Sequence, residues 1–208
     1  MNGLFITFEG TEGSGKTSVI KGVEQYLKEA GYDVLVTREP GGIKISEQIR
    51  NIILDKDNTE MDPITEALLF AASRRQHLIE RIFPAVAQNK IVLCDRYLDS
   101  SLVYQGIARK IGLERVNELN QLATEGFLPV LTVFIDVPPH IGLERVFAAR
   151  KIQDVNRLDL EKLEFHTMIY NGYKSLLDRY PERFKSIDGT KPLKEVIEDA
   201  LNLIKTLL

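Results

Sequence analysis

Residues 4–30 constrain this chain more than any others, because they prescribe a strand, a tight glycine loop and a helix in immediate succession. Leu4-Phe5-Ile6-Thr7-Phe8-Glu9 is an apolar, β-prone run. Gly10-Thr11-Glu12-Gly13-Ser14-Gly15-Lys16-Thr17 follows and matches GxxxxGK[ST] at every fixed position. From 18 to 30, Val19, Ile20, Val23, Tyr26 and Leu27 recur at helical spacing. In this order the glycines let successive backbone N–H groups curl around a polyphosphate, and the helix start adds the positive end of its dipole. Lys16 is placed for the β- and γ-phosphates and the Thr17 hydroxyl for Mg²⁺. A glycine-rich turn carrying a solvated lysine would need neither the strand nor the helix. The expectation is an α/β protein that binds a nucleoside triphosphate through residues 10–17.

Further strands are expected at 33–37, 91–95, 130–137 and 184–187. Helices are expected at 45–54, 99–108, 113–125, 159–180 and 193–207, with another ending near 150. Asp62-Pro63 reads as a helix start, an N-cap carboxylate followed by proline at the first position. That helix should run to about residue 83, where Pro84 kinks or ends it. Strands with continuous apolar runs, each followed by a helix, imply a parallel sheet covered on both faces. The expected fold is therefore α/β, with a five-stranded parallel sheet and helices on both faces. No repeat, low-complexity segment or linker divides the 208 residues, so one domain is expected.

Composition narrows the possibilities. A net charge of −3 gives no electrostatic reason to bind nucleic acid or a membrane surface. The single cysteine, Cys94, excludes an internal disulfide and reads as a buried strand residue. His77, His140 and His166 lie too far apart in sequence to suggest a metal centre. No apolar run approaches bilayer-spanning length. The chain enters its first strand without a signal-peptide pattern, so a cytoplasmic location is expected.

Ligands of open parallel sheets bind beyond the carboxyl ends of the strands. Strand one ends in Glu9 and the glycine loop, strand two in Arg38-Glu39-Pro40-Gly41-Gly42, and strand three in Asp95-Arg96-Tyr97. Asp95 suits the Mg²⁺ shell, directly or through water, while Arg38 and Arg96 would face phosphates. Surface ion pairing is the bland alternative for each, and it weakens when all share one sheet edge. Phe70 and Arg74 are i, i+4 neighbours, so an aromatic ring beside a guanidinium could stack on a base and bond its edge. Ser101, Tyr104 and Gln105 form a similar stripe. Core packing and solvent exposure explain these spacings equally well.

Taken together, these motifs resemble the thymidylate kinases, nucleoside monophosphate kinases that convert dTMP to dTDP. The resemblance runs from Phe8-Glu9-Gly10 through Arg38-Glu39-Pro40-Gly41-Gly42 and Leu69-Phe70-Ala71-Ala72-Ser73-Arg74. It continues through Asp95-Arg96-Tyr97, Asp99-Ser100-Ser101 and Tyr104-Gln105-Gly106. It implies that Phe70 stacks on thymine and Arg74 bonds its edge. Ser101 and Gln105 would lie near the base, and Tyr104 would crowd the 2′ position. Glu12 would contact the acceptor sugar, and Arg38, Arg50 and Arg96 would hold the acceptor phosphate, with Glu39 in the same substrate-binding segment. ATP, Mg²⁺ and a homodimer packed through helices come with the family.

Some members of that family carry an arginine where this chain has Gly13. This chain resembles the bacterial-type members that lack it, which supply the catalytic cation from a mobile lid. The lid is expected at about 148–158, with Arg150 and Arg157 as first candidates beside Lys16 and Arg96, and Lys151 in reserve. A mobile cation arriving on closure suits a transition state that spreads charge over equatorial oxygens. The alternatives are another nucleoside or nucleotide kinase of the P-loop class, and a non-catalytic ATP-binding module.

Overall fold

The computed structural model describes residues 3–149, 157–158 and 161–208. Five strands, β1 Leu4–Glu9, β2 Val34–Arg38, β3 Ile91–Asp95, β4 Leu131–Asp136 and β5 Phe184–Asp188, form one sheet in the order β2-β3-β1-β4-β5. Every pairing is parallel. β1 is central, with Phe8 opposite Asp95 on one side and Val133 on the other. The carboxyl ends of β1, β2 and β3 are therefore level, which brings the glycine loop, Arg38 and Asp95 to one edge.

Strand alternation divides the core into two layers. Ile6, Phe8, Leu93 and Val133 face one side, where α1 (Lys16–Glu29) and α9 (Leu193–Lys205) cover them with Val19, Ile20, Val23, Val196, Ala200 and Leu201. Phe5, Val92, Cys94 and Phe134 face the other side, packing with Tyr97, Leu102 and Tyr173. Cys94 is buried, as a strand residue should be. The second layer also contains paired polar groups. Thr7 and Thr132 share a 2.9 Å hydrogen bond, and Arg183 donates to both oxygens of Asp99 at 2.7 and 2.8 Å. A buried pair of this kind is costly to break from one side, because the surviving charge has no water to turn to.

The remaining helices are α2 (Lys44–Leu54), α3 (Pro63–His77), α4 (Phe83–Ala87), α5 (Leu98–Ser101), α6 (Leu113–Thr124), α7 (Pro139–Ala149) and α8 (Leu163–Arg179). Asp62 caps α3 as its sequence suggests, accepting from the backbone of Ile64 and Thr65, with Pro63 in the first turn. Two expected helices take a different course. Beyond His77 the chain makes a π-helical turn, Leu78–Ile82, before α4, and Pro84 sits in the first turn of α4, where its missing N–H is no loss. The helix expected at 99–108 is only four residues of α-helix, followed by a π-helical stretch at Leu102–Ala108. There the Arg109 N–H donates to the Tyr104 carbonyl, five residues back, at 2.8 Å. α8 starts at Leu163, four residues later than expected.

One backbone contact fixes the glycine loop against α7. A Cβ on Gly13 would stand 1.9 Å from the Gly142 carbonyl oxygen, and a Cβ on Gly142 would stand 2.2 Å from that of Glu12. Neither position admits a side chain without moving the other element.

Candidate active site

The glycine loop turns through positive φ at Gly10, Gly13 and Gly15, and α1 begins at Lys16. Lys16 is buried and folds back over the loop. Its Nζ donates to the carbonyls of Gly10 (3.1 Å) and Thr11 (3.0 Å) and to Ser14 Oγ (3.3 Å). Burial, reinforced by the positive Arg96, pushes its pKa down to about 8. At the start of α1 the Thr17 hydroxyl donates to Asp95 Oδ2 at 3.2 Å. These two hard oxygen groups, one from α1 and one from the end of β3, fit Mg²⁺, which takes oxygen ligands and keeps several waters.

Arg96 occupies the left-handed region with φ 69°, its N–H donating to the Phe8 carbonyl at 2.9 Å. A non-glycine residue held there is costly, and such residues cluster at functional sites. The conformation swings the guanidinium back over the glycine loop. Nη2 donates to Glu12 Oε1 at 2.9 Å, and Nη1 donates to Ser100 Oγ and the Tyr173 hydroxyl at 3.2 and 3.1 Å. The Tyr104 hydroxyl donates to Glu12 as well, 2.8 and 2.7 Å from its two oxygens. Burial pushes the Glu12 carboxyl up, but Arg96, Lys16 and the Tyr104 hydroxyl outweigh it and hold it below the usual carboxylate range.

Next to Arg96, Glu9 is the opposite case. It accepts from the backbone N–H groups of Tyr97 (2.8 Å) and Ser100 (3.2 Å), and from the Ser100 and Tyr173 hydroxyls. Burial, then the nearby negative Asp99, raise its pKa to about 7.

The acceptor candidates come from several elements. Arg38 and Arg50 both donate to the Pro40 carbonyl, at 3.1 and 3.0 Å, so two guanidinium groups converge beside the cavity. Arg38 also pairs with Glu47 at the surface. Arg74 is 2% exposed, with Nε donating to Glu39 Oε2 at 2.7 Å and Nη1 donating to Ser101 Oγ at 3.1 Å and to Asn120 Oδ1. Glu39 borders the cavity, yet its carboxylate is committed to Arg74 and to His77, whose Nδ1 lies 3.1 Å away. Its evident work is to hold Arg74. Gln105 Nε2 donates to Glu66 at 2.9 Å.

A cavity of about 540 Å³ joins these parts. It is lined by Glu12 to Thr17, by Arg38, Arg50, Asp95 and Arg96, and by Phe70, Ser101, Tyr104 and Gln105. Gly10, Thr11 and Arg74 support this surface without lining it. Arg157 does not line the cavity either; its Nε donates to the Ile53 carbonyl at 3.0 Å and its guanidinium pairs with Glu66. Arg150 and Lys151 lie outside the described residues.

Sequence reasoning missed four residues here. Arg145 of α7 lines the cavity and donates to the Gly189 carbonyl at 3.2 Å. Asn120 of α6 and Glu66 of α3 orient the acceptor side chains, and His166 of α8 lies 3.9 Å from Glu12. Arg145 could have been found from its place on the helix after β4. The other three carry no local signal.

A parallel sheet of this order, with a glycine loop and a lysine-topped helix opening on a cavity, is the α/β fold of the P-loop kinases. A family model described as thymidylate kinase matches residues 8–200. A thymidylate kinase of Clostridium novyi is 51% identical over 203 residues, covering 98% of both chains. One from Geobacillus thermodenitrificans is 51% identical over 208 residues, covering all of this chain and 92% of its own. The crystal structure of the Ehrlichia chaffeensis thymidylate kinase superposes with a TM-score of 0.80 at 29% identity, covering 99% of this chain and all of that one. The chain belongs to the thymidylate kinase family.

Proposed function

We propose that this enzyme transfers the γ-phosphoryl group of ATP to dTMP, giving dTDP and ADP for dTTP synthesis. The observation that carries the reading is one cavity lined by the glycine loop together with Arg38, Arg50 and Arg96 and with Phe70, Tyr104 and Gln105. An oxygen of the dTMP phosphate attacks the γ-phosphorus, and the bridging oxygen leaves with ADP. The attacking oxygen is already ionised, so no general base is needed. Positioning and charge are what remain for the protein to supply.

Each residue then has a task. Residues 10–17 cradle the triphosphate with backbone N–H groups, and Lys16 exchanges the loop carbonyls for phosphate oxygens. Thr17 and Asp95 would hold Mg²⁺, which neutralises charge on the bound phosphates. Arg38, Arg50 and Arg96 gather the acceptor phosphate, with Arg96 next to both nucleotides. Phe70 stacks on the base. Arg74, Ser101 and Gln105 present donors and acceptors to the base edge, while Tyr104 and Glu12 meet the sugar. The lid cation is assigned to segment 148–158, through Arg150 or Lys151, or through Arg157 if it leaves Glu66. Among the described residues no helix is long and apolar enough to cross a membrane, and we place the enzyme in the cytoplasm. The half-exposed Ile64 and Leu68 of α3, with the exposed Leu122 of α6, support a homodimer packed through these helices.

The direct test is ADP release in a coupled assay with dTMP, dUMP, CMP and thymidine as acceptors. dTMP should be turned over at the highest kcat/KM. Preference for another acceptor would reassign the site within the P-loop kinases, and no ADP release with any acceptor would leave only nucleotide binding.

A further inference from the structure

His166 of α8 is 1% exposed, and neither of its ring nitrogens has a hydrogen-bond partner among the described residues. Buried polar groups are nearly always paired, so an imidazole with two idle nitrogens needs a physical reason. The nearest candidate partner belongs to the glycine loop. Nδ1 stands 3.9 Å from Glu12 Oε2, about 1 Å beyond hydrogen-bond reach. Phe165 stands perpendicular to the imidazole, with ring centroids 6.0 Å apart, and meets the Tyr104 ring edge-on at 6.3 Å. The ring therefore sits in the same packed group as the tyrosine that holds Glu12.

Glu12 is unevenly supplied. Oε1 accepts from both Arg96 and Tyr104, whereas Oε2 accepts from Tyr104 alone. In the reading given above, Arg96 serves the phosphates during transfer. A guanidinium that turns toward phosphate loosens its hold on the carboxylate, which then needs another donor to stay in place.

We propose that His166 is a positioning residue of the acceptor site: with both nucleotides bound, its Nδ1–H donates to Glu12 Oε2 and steadies that carboxylate while Arg96 engages phosphate. The inference rests on the phosphoryl-transfer reading. It requires the tautomer with the proton on Nδ1, and no covalent bond changes. The same helix already reaches the strand ends elsewhere. Tyr173, seven residues on and so on the same face, donates to Glu9 Oε2 at 2.8 Å, and Lys174 meets Asp136 at 2.5 Å. Through His166, α8 would fix the glycine-loop acid as it fixes the ends of β1 and β4.

The competing possibility is that His166 only fills space, and kinetics separate the two. His166→Phe preserves a ring and removes both nitrogens. With dTMP and ATP its kcat should fall about tenfold or more while KM for ATP holds. His166→Asn, whose side-chain N–H stands near the place of Nδ1–H, should recover most of the loss. Wild-type kcat in His166→Phe overturns the proposal, and so does an equal loss in both variants. In a Glu12→Gln background His166→Phe should add little further loss, and full additivity also overturns it. If His166→Phe does not fold, ¹⁵N shifts of the wild-type imidazole decide. Adding dTMP and a non-hydrolysable ATP analogue should turn Nδ1 into a protonated, hydrogen-bonded nitrogen, and unchanged shifts overturn the proposal. Inactive wild-type protein would overturn the functional reading alone, and the NMR measurement would still settle the His166–Glu12 contact.

Discussion

In the function proposed above, the donor and acceptor halves of the site are built by different means. The donor half is one continuous stretch, residues 10–17, whose shape comes from local backbone conformation. The acceptor half is collected from the end of β2, from α2, α3 and the π-helical stretch after α5, and its side chains are held by other side chains. Arg74 needs Glu39, Ser101 and Asn120; Glu39 needs His77 in turn. A local device fails when its own residues change. A collected one also fails when a partner changes that never touches the ligand.

Glu39→Ala should break the acceptor half most severely. It leaves the buried Arg74 guanidinium without its carboxylate, and stability should fall by about 3–5 kcal/mol in urea unfolding. A loss under about 1 kcal/mol would mean that Arg74 stands without the pair. Lys16→Ala attacks the donor half and should lower turnover by about 100-fold or more, with dTMP binding in calorimetry unaffected. Phe70→Ala should do the converse, weakening dTMP binding by about 1–3 kcal/mol while ATP affinity holds. Unchanged dTMP binding would return Phe70 to core packing. The smallest effect is a pH dependence confined to one half. With a pKa near 8, Lys16 is charged below that pH and neutral above it, so kcat/KM for ATP should decline as pH rises through about 8. At saturating ATP, kcat/KM for dTMP should lack that step, because bound phosphates favour the charged lysine. A shared step would mean that both halves titrate together.

The same contrast explains what could be read from the sequence. Four of the five strands announce themselves as apolar runs, while β5 (Phe184–Asp188) has only Phe184 and Ile187 as apolar residues, and the sheet edge carrying the site follows from their parallel order. The glycine loop and the Asp62-Pro63 cap are contiguous signals. The π-helical turns at Leu78–Ile82 and Leu102–Ala108 are not, because i→i+5 bonding leaves no distinct residue pattern. Ser101, Tyr104 and Gln105 nevertheless reach the same cavity. The carboxylate of Glu39 could be assigned to a ligand or to Arg74, and only the tertiary fold, which puts residues 39 and 74 at 2.7 Å, distinguishes them. Glu66, Asn120 and His166 act across 39 residues or more, a range at which periodicity and local motif carry no information.

The backbone contact between Gly13 and Gly142 limits what can replace either residue. An arginine at position 13 would need a Cβ where this protein has a carbonyl oxygen. Gaining that arginine would require α7 to retreat first. A retreat without the arginine opens a gap beside the triphosphate loop and offers nothing in return. A side chain gained at 142 would press on the loop itself. A substitution at either glycine therefore has to come with a shift of α7, and on its own it would disturb the loop that leads into Lys16.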